Sequence, residues 1–98
     1  MWIGWLEFDP LLGDVRSLKQ KRSVIRPVIA ELQRRFAVSA AETGAQDLHR
    51  RANVGIALVS ADRGHVVDVL DAAERLVASR PEMELLSARR RLRRSGDD

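Results

Sequence analysis

The period of the hydrophobic pattern changes along the chain, and each change marks an element. Residues 1–9, MWIGWLEFD, are rich in strand-forming residues and show no helical spacing, so they predict a strand that ends near the turn-prone DP and GD pairs. Pro10 is expected to stop that strand, because proline cannot donate to a central ladder. From Ser17 the spacing becomes helical. Val24, Ile25, Val28, Ile29, Leu32 and Phe36 fall within one arc at 100° per residue, while Lys19, Arg22 and Arg26 lie on the outside. Ser17 followed by Gln20 is a capping-box spacing that sets the helix start. Pro27 removes one helical hydrogen bond and is expected to kink or divide this helix.

Beyond Phe36, AVSAAET predicts a second strand, and TGAQDLHRR a glycine turn followed by a short helical turn. The period then becomes two. In ANVGIALVS, Val54, Ile56 and Leu58 alternate with Asn53, Gly55, Ala57 and Val59, which predicts a half-buried strand. Asp62 is placed to cap a second helix whose apolar arc is Val66, Val69, Leu70, Ala73, Leu76 and Val77, and Pro81 bounds it downstream. MELLSARRRL predicts a last strand. One domain is therefore expected over residues 1–92, with 93–98 as a polar tail that frays.

The predicted order is β-α-β-β-α-β, the split arrangement of ferredoxin-like folds in the α+β class. Both helices need a common partner for their apolar arcs, so they are expected on one face of a four-stranded antiparallel sheet. The other face is left open. The first strand is apolar on both sides, with Ile3 and Trp5 on one and Trp2, Leu6 and Phe8 on the other, so the pattern alone does not say which set is covered. Trp2, Trp5 and Phe8 are accordingly the candidates for a protein interface, including a homodimer through the sheet.

Composition narrows the class. The chain has 98 residues, 45% hydrophobic and 32% charged, with 4% aromatic, so its core must rest on aliphatic packing. It lacks cysteine, which removes disulfides, thiolate zinc sites and thiol nucleophiles and fits a cytoplasmic setting. The apolar runs are shorter than the ~20 residues of a membrane-spanning helix. Net charge is only +3, but its distribution is uneven. Between Arg16 and Arg35 seven bases face one acid, Glu31, and between Arg89 and Arg94 five arginines face none.

Four segments, SLKQKR (17–22), RRFAVSAAE (34–42), GAQDLHRRA (44–52) and VSADRGHV (59–66), occur in an order that resembles the YlxP-like family of small bacterial proteins. The resemblance covers nearly the whole chain. It implies a ferredoxin-like fold without an established biochemical function, and a gene neighbourhood of translation initiation and ribosome maturation factors. The family's HSLKEKR is met here with Arg16 in place of histidine and Gln20 in place of glutamate, so no role for that histidine passes to this chain.

Two function classes compete. In the first, the protein is a non-enzymatic accessory factor of RNA or the ribosome, with Lys19, Lys21, Arg22 and Arg26 of the basic helix, joined by Arg89 and Arg91, as phosphate contacts. Lys21 lies inside the apolar arc, so its stem is expected along the core with its charge at the edge. In the second, the open sheet docks a protein or a second copy and the charges keep the surface wet. A small enzyme ranks third. Glu42 and Asp47 flank the turn at Gly44 as candidate bases, His49 and His65 have no zinc-type spacing, and neither a catalytic signature nor a phosphate-binding glycine loop is present. No catalytic residue, metal or cofactor is assigned. The third strand has no aromatic residue, unlike RNA-recognition sheets that stack bases there.

Overall fold

The computed structural model describes residues 1–96, and it contains six elements: β1 (Trp2–Leu12), α1 (Leu18–Phe36), β2 (Ser39–Gly44), β3 (Asn53–Ser60), α2 (Arg63–Ala78) and β4 (Met83–Arg94). The strands form one antiparallel sheet in the order β2-β3-β1-β4. This is the ferredoxin-like α+β arrangement that the pattern predicts. α1 packs against β2, and α2 lies across β1, β3 and β4.

Local chemistry sets both helix starts. The Ser17 side chain accepts from the Gln20 amide at 3.1 Å, and Gln20 Oε1 accepts from the Arg16 amide at 2.6 Å, one residue earlier than the usual capping box. Asp62 accepts from the Gly64 amide at 2.9 Å and caps α2. The six apolar positions predicted for α2 are all buried. α1 runs unbroken through Pro27, which sits on the exposed side of the helix, so it is not divided there. The segment after β2 makes turns rather than a helical turn.

β1 extends past the predicted stop at Pro10. Its ladder with β3 ends at Phe8 opposite Val54, so no further β3 residue requires the missing proline N–H. The Pro10 carbonyl accepts instead from the Ala52 amide at 3.3 Å. On the other side the register with β4 slips between Asp9 and Pro10, leaving Leu86 as an extra residue in a bulge. β4 also outlasts its expected end. Arg93 and Arg94 pair with Ile3 and Trp2, and Met1 and Ser95 join the two termini by hydrogen bonds, so residues 93 and 94 belong to the sheet. Asp97 and Asp98 of the expected tail lie outside the described residues.

The core fills the space between the helices and one sheet face. Leu6, Phe8 and Leu12 of β1 meet Ile25, Val28 and Leu32 of α1, Val54 and Ile56 of β3, and the apolar arc of α2. Gly4 decides how closely α2 can approach, since a Cβ there would collide with Val66 and meet Leu70 at 3.3 Å. Leu6, Phe8 and the partly buried Trp2 thus face the helices, while Ile3, Trp5, Glu7 and Asp9 look outward.

Candidate nucleic-acid interface

α1 holds its cations in two different states. Lys19, Arg22 and Arg26 are exposed, and none has a carboxylate within 4.0 Å among the described residues. Their spacing of three and four residues sets them on one face over about 10 Å of helix axis. No acidic residue stands in the first turn. Lys21 points the other way. It is only 2% exposed, its ammonium donates to the Ala45 carbonyl at 2.7 Å, and it pairs with Glu42 Oε2 at 3.1 Å. The predicted path of its stem along the core is realised, but its charge ends inside the protein, so Lys21 drops out of the phosphate-facing set.

The β4 arginines also separate. Arg89 and Arg91 stand beside Glu7 and Trp5 in the ladder and share the open face with them, whereas Arg90 turns to the helix side. Arg89 donates to Glu7 Oε1 at 2.7 Å, and Thr43 donates to Glu7 Oε2 at 2.7 Å. These two donors hold the Glu7 carboxyl below its ordinary value, with Arg89 the larger cause. Arg91 is exposed and has no carboxylate partner among the described residues.

Of the three residues expected at a protein interface, the structure leaves one on the open face. Trp5 is 38% exposed there, while Phe8 is 1% exposed in the core. Trp2 packs against the core from the helix side, with the Arg63 guanidinium 5.6 Å from its ring. The reason is the close approach of α2 at Gly4, which commits the even-numbered residues of β1 to the helices.

The remaining candidates are dispersed. His49, His65 and Asp47 are exposed, and Glu42 is bound to Lys21. Among the described residues no group of three or more His, Cys, Asp or Glu side chains is placed to hold a metal ion, and no helix is long and apolar enough to cross a membrane.

Residues 3–90 match the model of a family described as a protein of unknown function, DUF503. The chain belongs to this family. It is 37% identical over 82 residues to the uncharacterised protein YlxP of Bacillus subtilis (strain 168), a match that covers 84% of this chain and 89% of the relative. The DUF503 match includes all of α1, and it stops one residue short of Arg91.

In this DUF503 chain, the open face also holds a trough that the sequence did not reveal. Ser39, Ala41, Gly55 and Ala57 line it with Trp5 and Glu7 around a volume of about 330 Å³. A signal did exist, since small residues recur at alternate positions of β2 and β3. Only the register, which sets Ser39 opposite Ala57 and Ala41 opposite Gly55, shows that they meet.

Proposed function

We propose that this protein is a non-enzymatic, cytoplasmic accessory factor that binds RNA, either free ribosomal RNA or the assembling ribosome, by holding phosphates on Lys19, Arg22 and Arg26. One observation carries the reading: these three exposed cations share a helix face, and none has a carboxylate within 4.0 Å among the described residues. Lys19, in the first turn of α1, opposes the helix dipole, a cost of about 0.3 to 1 kcal/mol that a polyanion would offset. Binding would release condensed counterions, so it needs neither a pocket nor a reactive group. The ribosomal assignment rests on the gene neighbourhood implied by the family resemblance.

The test is charge reversal. Lys19→Glu, Arg22→Glu and Arg26→Glu together should weaken RNA binding at least about 100-fold at low salt, since each lost phosphate contact also becomes a repulsion. The circular dichroism spectrum should be unchanged, because all three side chains are exposed. Unchanged RNA affinity would end the proposal. The competing reading, a homodimer or protein-docking module, draws on the exposed Trp5 and Val59 of the open face, with the half-buried Ile3 between them, and it predicts that the same reversal leaves binding intact.

A further inference from the structure

Across the ladders the open face reads in rows. Arg91, Trp5, Ala57 and Ser39 make one row, and Arg89, Glu7, Gly55 and Ala41 make the next. Cations therefore stand on β4, a ring on β1 and small side chains on β3 and β2. Gly55 permits this relief. A Cβ there would come within 2.9 Å of Thr43 Cγ2, so its absence lets Thr43 lean across β3 and donate to Glu7. The result is an open, largely apolar trough with the Trp5 indole and the clamped Glu7 carboxylate side by side on its β1 wall.

From this arrangement we infer that the trough seats a base of single-stranded RNA against the Trp5 ring, with an adjoining phosphate on Arg91. Every base offers a flat face to an exposed indole, and stacking of this kind is tolerant of sequence. The inference rests on the proposed reading that the ligand is RNA, but it uses a different surface, because α1 covers the opposite side of the sheet.

Charge favours RNA over a second copy of the chain. Among the described residues, a second copy would bring to this face the carboxylates of Glu7 and Asp9, each already bound to an arginine of its own chain, Arg89 and Arg51, and the exposed Glu84, which stands opposite Leu11 at the far end of the ladder from Arg91. Sealing Arg91 beneath such a copy would desolvate a guanidinium that only a Glu84 from the far end of the other ladder could meet. RNA supplies both complements at once, a ring for the apolar trough and an anion for Arg91.

The experiment uses the full chain with Trp2→Phe, which leaves Trp5 as the single indole of the two in the sequence. The probes are a tetra-adenylate RNA and inorganic polyphosphate. The RNA should quench Trp5 fluorescence, and polyphosphate, which has charge but no bases, should not. By anisotropy of the labelled tetranucleotide, Trp5→Ala should weaken binding roughly 5- to 150-fold. Trp5→Phe, which keeps a stacking ring, should lose much less. The α1 triple reversal should leave quenching by the tetranucleotide in place.

Failure to bind the tetranucleotide, or equal affinity for Trp5→Ala and the parent chain without quenching, would overturn the trough and leave the α1 reading standing. Quenching that persists while the triple reversal fails to weaken binding of long RNA would do the converse. A change in Trp5 fluorescence on concentrating the protein alone, with a matching rise in sedimentation mass, would show that a second copy covers this face and would also overturn the inference.

Discussion

α1 and the α2–β4 layer are both dense in cations, yet their charges stand in different company. On the α2–β4 side Arg90 donates to Asp71 at 2.7 Å and to Glu74 at 3.0 Å, and Arg80 bridges Glu31 and Glu82 at 3.5 and 2.9 Å. On α1, Lys19, Arg22 and Arg26 have no such neighbour among the described residues. The arginine run of β4 is the denser of the two in the sequence, but much of its charge is returned to the protein's own carboxylates. Counting bases therefore ranks the two regions in the wrong order. What makes a cation available to a polyanion is the lack of an internal partner, and that depends on which residues the fold brings near it.

The largest expected effect comes from the one α1 cation that behaves like the other region. Lys21→Met keeps the stem but strands Glu42, whose buried Oε2 has the Lys21 ammonium 3.1 Å away as its ion-pair partner and no other polar partner among the described residues. Urea unfolding should show a loss of about 2 to 3 kcal/mol, tempered by the partial exposure of Glu42, while RNA affinity stays near the parent value. Lys19→Met, its exposed counterpart, should shift stability by less than about 0.5 kcal/mol. Equal stability losses at the two positions would erase the distinction between them.

A smaller effect follows from releasing Arg90. Asp71→Asn with Glu74→Gln should cost less than about 1 kcal/mol per ion pair in the same assay, because these pairs are partly solvated. The released charge should strengthen RNA binding at low salt only, since screening weakens exposed charges as salt rises.

The smallest effect concerns Glu7 and acid. Its folded carboxyl titrates below the ordinary carboxylate value because Arg89 and Thr43 donate to it. The stability it contributes is therefore fully present above that ordinary value and is lost as pH falls through the depressed one. Glu7→Gln should remove this contribution at neutral pH, a loss smaller than the two effects above, leave stability in strong acid unchanged, and so flatten this part of the acid-unfolding curve. An acid limb identical to the parent's would show that the clamp contributes nothing.

What could be read from the sequence divides by range. α2 was legible because its cap at Asp62 and its apolar arc lie within one segment. The helix-facing side of β1 was not, because both of its faces are apolar and the choice depends on the approach of Val66 to Gly4. The passage of β1 beyond Pro10 depends on where the β3 ladder ends and on the β4 bulge, neither of which is local. Lys21 was placed correctly within the apolar arc, but its partners, Glu42 and the Ala45 carbonyl, come from the β2 region. The ladder of β4 with Trp2 and Ile3 likewise holds Arg93 and Arg94 where local composition suggested a frayed tail. In the trough, small residues on two strands gain meaning only once the register sets them side by side.

The central claim, that the α1 stripe meets RNA phosphates, is tested most directly by the salt dependence of binding to a single-stranded RNA. Three contacts at ~0.7 each predict that the parent chain's log–log slope should be steeper, by about 2, than that of the Lys19→Met, Arg22→Met, Arg26→Met chain. Identical slopes for the two chains would contradict the account.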